Sequence, residues 1–408
     1  MRRCRVLWTV VVVALLTGCT VAGEARPQRV DPNSLGVGAY SVVPLEVPAG
    51  SEEYGRTMEA ARLTEALIDP VEADPAFNRA PTSSGMAALP SPARVTTVLA
   101  HPVREVLERH GMVVAASVSG TDRVEESRRP EVGRSRLLTV VVTRFADAPA
   151  AERAAREMDA VDAAVSPDNV AIAIPGHAAA LAHWRPNVPT LAATLATGSY
   201  VMSLLVGHTA PDPVVLTEVA AKAFTAQAAR LRDFRPTPPE QFAAMPLDPQ
   251  GMLRMMVPQA PSRWPFPAIT SYTLRMNAGW DGTLQPSGLV FGPRGAYLYL
   301  DRTKPLEAEA MAFNGFNPLF RMRDPVAARR AFDRAVRKDG EEGLRPVPGP
   351  AGLDDVRCVE SPDPDTLGVL RYVCRVVYGR YFTTLFAREL TNAQHKAAAQ
   401  YGLLMNGA

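Results

Sequence analysis

Apolar positions in this chain follow two rhythms, and the switches between them mark most of its elements. Leu137 to Phe145 is a continuous β-branched run of the kind that forms a buried strand, and Ala150 to Ala164 carries apolar residues at helical spacing. Asp147 stands between them, where a carboxylate accepts the unpaired backbone N–H groups of a first helical turn. The same order returns later: Leu319 to Met322 reads as strand, Asp324 as cap and Ala327 to Lys338 as helix. At a constant offset of 177, Asp147, Ala150, Ala151, Arg153 and Ala154 meet Asp324, Ala327, Ala328, Arg330 and Ala331.

Two further matches keep that order. Gly198-Ser199-Tyr200-Val201-Met202-Ser203-Leu204-Leu205 parallels Gly379-Arg380-Tyr381-Phe382-Thr383-Thr384-Leu385-Phe386, both strand-like. Ala226-Gln227 and Leu231 parallel Ala399-Gln400 and Leu404 in the last helix of each half. The offset drifts from 177 to 181 to 173, as loop insertions would cause. The pattern predicts an α+β fold of two tandem, duplicated domains. Each is a mainly antiparallel sheet with helices packed on one face, ferredoxin-like in plan. Between the repeats, Ile269 to Met276 and Leu289-Val290-Phe291 read as strands. Ala296 to Leu300 reads as a third, forming a hairpin with the second around Gly292-Pro293-Arg294-Gly295.

The N-terminus follows neither rhythm. Arg2, Arg3 and Arg5 precede an apolar run from Val6 to Leu16, interrupted in polarity only by Thr9, and Leu16-Thr17-Gly18-Cys19 closes it. As a helix that run reaches only about 16 Å, against roughly 30 Å of hydrocarbon core, so it reads as a cleaved secretory signal and not a span. Leu16, Thr17 and Gly18 match the bacterial lipobox, in which Cys19 receives a diacylglyceryl group carrying acyl chains such as palmitate. The expected organisation is signal peptide 1–18, lipidated N-terminus and flexible tether 19–50, first domain 51–235, linker 236–247 and second domain 248–408. The linker begins at Arg235-Pro236-Thr237-Pro238-Pro239-Glu240, where prolines resist regular structure.

Composition and charge narrow the partners. The chain has 408 residues, 47% hydrophobic and 21% charged, which suits two soluble globular domains. Its formal charge of +2 falls to about −1 once the three signal arginines are removed, which argues against a nucleic-acid partner. After loss of Cys4 with the signal and acylation of Cys19, Cys358 and Cys374 remain, both in strand-like context. In an exported chain a cross-link between neighbouring strands is the expected outcome, with two free thiols as the alternative.

Candidate chemistry is sparse. His177 and His183 lack the spacing of a helical metal pair, and His101 and His110 flank a short helix from Val103 to Arg109 that Gly111 caps. The histidines therefore read as surface or capping residues. No Gly-x-Ser-x-Gly elbow, Ser-x-x-Lys, phosphate-cradling loop or dinucleotide fingerprint occurs. Asp301 with Glu307 or Glu309 could form a carboxylate pair, though solvated charge is the plainer reading. Trp184, Trp264 and Trp280 read as core covers before ligand contacts, and Tyr200 and Tyr381 as sheet packing. No catalytic residue, metal or cofactor is expected.

Several tracts resemble a known family. The opening Leu16 to Gly23, the tract Val37-Gly38-Ala39-Tyr40 and the segment Met58 to Pro75 look like two-domain lipoproteins of mycolic-acid-bearing actinobacteria such as Nocardia, Rhodococcus and Mycobacterium. Gly379-Arg380-Tyr381 and Ala398 to Leu404 are similar to that family's C-terminal half. The resemblance implies lipidation, two domains and the disulfide, and carries no assigned activity. The expectation is a membrane-anchored envelope lipoprotein at the extracytoplasmic face. It would bind an envelope lipid, glycan or protein without catalysis, and the sequence leaves its oligomeric state open. The competing expectations are an envelope hydrolase or transferase, and an extracytoplasmic sensor or accessory module.

Overall fold

Seven strands form a sheet in each half of the chain, and the two sheets have the same connectivity. The computed structural model describes residues 30–81, 85–123, 131–271, 284–299, 307–362 and 370–408. In the first half the strands are β1 (Met86–Leu89), β2 (Val114–Thr121), β3 (Leu137–Arg144), β4 (Val170–Ala171), β5 (Leu181–Trp184), β6 (Thr190–Thr197) and β7 (Tyr200–Gly207), in spatial order β1-β2-β3-β7-β6-β5-β4. A separate hairpin, β8 (Ala268–Ser271) with β9 (Leu284–Ser287), follows. The second half has β10 (Leu289–Phe291), β11 (Ala308–Asn314), β12 (Asn317–Met322), β13 (Arg345–Val347), β14 (Val356–Glu360), β15 (Tyr372–Tyr378) and β16 (Tyr381–Ala387), ordered β10-β11-β12-β16-β15-β14-β13. All described pairings are antiparallel.

The duplication extends to register. In β6–β7 Thr197 opposes Tyr200 and Thr194 opposes Ser203; in β15–β16 Tyr378 opposes Tyr381 and Arg375 opposes Thr384. Both hairpins turn at a glycine with φ of 52°, Gly198 and Gly379, a backbone region that side chains with a Cβ resist.

The helices are α1 (Glu52–Leu63), α2 (Pro92–Val95), α3 (Val103–Arg109), α4 (Ala148–Ala163), α5 (Pro213–Asp233), α6 (Pro293–Tyr299), α7 (Pro325–Glu341) and α8 (Leu390–Gly407). The expected caps open α4 and α7: Asp147 accepts from the Ala150 N–H at 2.8 Å and Asp324 from that of Ala327 at 2.7 Å. Among the described residues no helix is long and apolar enough to cross a membrane.

Three details depart from the sequence reading. First, helices cover both faces of the sheet, unlike the one-faced, ferredoxin-like plan. On β15 the neighbours Cys374 and Arg375 point to opposite sides, and Cys374 meets the Ala393 carbonyl of α8 while Arg375 pairs with Asp339 of α7. Central strands are accordingly buried along both faces, as β3 shows at every position. Second, Ala296 to Tyr299 belongs to helix α6, not a strand. Pro293 suits a first helical position, and the Glu65 carboxylate accepts from the N–H groups of Arg294 and Gly295 at 3.1 and 2.7 Å. Third, the expected tether is docked within its described part. The Tyr40 hydroxyl is 3.0 Å from Asn392 Oδ1, Asn406 donates to the Val42 carbonyl at 2.9 Å, and Leu35, Val37 and Tyr40 pack on the core beneath α8.

The halves also touch directly. Helix α6 leans on the segment after α1: the Tyr297 hydroxyl donates to Asp69 at 2.7 Å, and Arg294 reaches Glu72 at 2.7 Å and the Leu67 carbonyl. One continuous apolar core runs from α1 through both sheets, and a smaller one lies beneath α8.

Candidate functional site

Strand alternation and helix spacing together open a cleft in the first half. Thr194 and Ser203 are direct cross-strand partners, so both side chains stand on one face of the sheet. Above them Met158 and Asp162 lie one turn apart on α4 and present the same side. Leu99 and Val103 close a third wall, leaving a volume of ≈380 Å³. Its lining is mostly apolar, with a hydroxyl at the floor and Asp162 and exposed Arg185 nearer the rim. The Ser203 hydroxyl is buried, with the residue 5% exposed, and has no hydrogen-bond partner among the described residues. A buried hydroxyl without a partner costs free energy, which a ligand group would offset.

Beside the cleft, His183 on β5 sits against α4. Its Nδ1 lies 3.1 Å from Asp159 Oδ1 and its Nε2 lies 3.5 Å from Asp162 Oδ2. Burial disfavours the charged ring, but hydrogen bonds to both carboxylates and their charges outweigh it, and the pKa is pushed up to about 9. The ring is therefore an imidazolium at neutral pH with both nitrogens committed. That is a charge anchor for α4 and not a general base. Its burial also corrects the surface reading of His183.

A second cavity of ≈370 Å³ lies between the halves, bounded by Met58, Arg62 and Glu65 on one side and by Leu247, Leu289 and Gly292 on the other. Burial raises the Glu65 carboxyl, against hydrogen bonds from the Gly295 and Arg294 backbone that favour its charged form. Glu65 is occupied as the cap of α6, so this cavity offers little further polar chemistry.

The remaining sequence candidates disperse. Leu16, Thr17, Gly18 and Cys19 lie outside the described residues, as do Trp280 and Asp301. Glu307 pairs with Arg323 and Arg330, and Glu309 with Arg321 and Arg380, so these carboxylates are tied to arginines on the surface. His110 caps α3 and meets Glu157 at 2.7 Å; His177 Nε2 lies 3.0 Å from both the Ala221 carbonyl and the Thr225 hydroxyl. Trp264 is buried as a core cover. Cys358 and Cys374 oppose each other on β14 and β15 and form a disulfide with Cα atoms 4.1 Å apart.

The cleft itself escaped sequence reading. Asp162, Thr194 and Ser203 are ordinary residues separated along the chain, and only sheet register and helix packing bring them together. The repeat held the usable signal, because Asp162 matches Asp339 at offset 177 and Ser203 matches Thr384 at offset 181.

Comparison with protein families gives two matches. Residues 46–247 match the N-terminal domain of unknown function DUF7373, and residues 269–407 match the C-terminal one. No curated protein and no solved structure matches the chain.

Proposed function

We propose, on the premise that the chain belongs to the DUF7373 family in both halves, that it is a lipid-anchored binding protein of the cell envelope. In this reading residues 1–18 are cleaved and Cys19 carries the diacylglyceryl group. The domains 51–235 and 248–408, joined by 236–247, then stand at the extracytoplasmic face of an actinobacterial membrane. The single observation that carries it is Leu16-Thr17-Gly18-Cys19 behind a charged, then apolar, leader too short to span. The Cys358–Cys374 disulfide supports it, since such bonds persist in oxidising compartments.

The docked arm sets a limit on distance in this reading. Val30 packs beneath α8, eleven positions after Cys19, and a fully extended chain covers at most about 3.6 Å per residue. The second domain is then held within roughly 40 Å of the lipid surface. The cleft lies in the first domain, where an envelope lipid, glycan or protein would bind.

Binding is favoured over catalysis by the chemistry of the cleft. Its floor hydroxyl has no partner among the described residues, and the nearby imidazole has both nitrogens facing carboxylates. Native mass spectrometry of the chain extracted from envelopes tests the reading. The expected result is a copurifying envelope component displaced by narrowing the cleft with Ala192→Leu; a bare chain under every extraction condition contradicts it.

A further inference from the structure

The two halves place equivalent groups around the same point and fill it differently. On the face of the second sheet that meets α7, Arg375 donates to Asp339 from Nε at 3.1 Å and from Nη2 at 2.6 Å, and from Nη1 to the Thr384 hydroxyl at 2.6 Å. Register and offset map this trio onto the first half. Asp339 corresponds to Asp162, Thr384 to Ser203, and Arg375 to Thr194, each opposing its partner identically across the hairpin. Replacing the long arginine by threonine leaves the carboxylate and the hydroxyl with space between them, and that space is the cleft.

The first half adds Asp159 and His183 where the second has Val336 and Val359, and this added pair is neutral in itself. Asp162 is then the surplus carboxylate, as Asp339 is before Arg375 is counted. His183 meets Asp162 through Nε2 on Oδ2 at 3.5 Å, and among the described residues no hydrogen bond or ion pair engages Asp162 Oδ1. Exposed Arg185 at the rim contributes a charge screened by solvent.

We propose that the first-domain cleft binds an alkylguanidinium group, such as an arginine side chain of a protein or peptide. The planar donor group would meet Asp162 and Ser203 as Arg375 meets Asp339 and Thr384. Its aliphatic stem would lie along Leu99, Val103 and Met158. The proposal rests on the cleft being a binding site and names the chemistry of the group it takes.

The test is a ligand-observed NMR titration of the detergent-extracted full chain with n-butylguanidinium, using n-butylurea as the neutral isostere. The expected result is saturable binding of the cation, at least about tenfold tighter than the urea. Asp162→Asn should weaken it by a similar factor, and Thr194→Arg, which rebuilds the arrangement of the second half, should abolish it. Should Thr194→Arg fail to fold, Asp162→Asn and Ser203→Ala decide the matter. Absence of saturable cation binding, or binding undiminished by these variants, overturns the proposal. Equal binding of the urea also overturns the cation claim while leaving an occupied cleft, so the two readings fail separately.

Discussion

Gln227 and Gln400 are one residue written twice. Gln227 on α5 accepts from the Ile68 N–H at 3.0 Å and donates to the Ala66 carbonyl at 2.7 Å. Gln400 on α8 accepts from the Val257 N–H at 2.9 Å and donates to the Met255 carbonyl at 2.7 Å. Both are fully buried, and each pins the end of a short 3-10 turn and the residues just after it to the final helix of its half. Truncation leaves a buried N–H and a buried carbonyl without partners, so Gln227→Ala and Gln400→Ala should each cost about 2–4 kcal/mol. Denaturant unfolding checks this, and a loss below about 1 kcal/mol would show the pair to be incidental.

The disulfide joins β14 to β15 beneath α8 in the second half only; the first half has Ala182 opposite Ala193 at the matching place. Cys358→Ser should lower stability by about 3 kcal/mol, seen as a drop of several degrees in Tm. Coincident melting curves under oxidising and reducing conditions would contradict a stabilising role.

His183 makes stability depend on pH in a defined direction. Its folded pKa of about 9 exceeds the ordinary histidine value, so its contribution is complete below about 6.5 and lost as pH rises through 9. The stake is on the order of 1–3 kcal/mol. Chemical denaturation of the wild type from pH 6 to 10 should show that decline, and His183→Asn should flatten it. Equal slopes in the two proteins would remove the assignment.

Glu65 anchors α6 from the other half of the chain. Glu65→Ala removes the acceptor of two N–H groups and should cost about 1–3 kcal/mol, with faster amide exchange over Pro293–Tyr299. Unchanged exchange there would mean that the helix holds its own end.

These residues show which parts of the structure were legible beforehand. Asp147 and Asp324 were, because a cap acts within one turn and leaves its mark beside the helix it opens. Strands β7 and β16 were, through their aromatic and β-branched runs. Helix α6 was misread because Tyr297 and Tyr299 favour strands locally, whereas its start is fixed by Glu65, distant in sequence. The Gln227–Gln400 match was visible as letters but not as a clamp, since their partners lie far upstream. The helix on the second sheet face was hidden for a related reason. A strand buried on both sides no longer alternates, so its pattern does not report how many layers cover it.

The proposed anchor has its own genetic test. Cys19→Ala should move the protein from the membrane fraction to the soluble extracytoplasmic fraction, and unchanged retention would place the attachment elsewhere.

The most direct measurement is intact and peptide mass spectrometry of the N-terminus of protein isolated from its native membrane. The account predicts a mature chain that begins at Cys19 and carries a diacylglyceryl thioether. A chain that keeps residues 1–18, or begins at an unmodified Cys19, would contradict it.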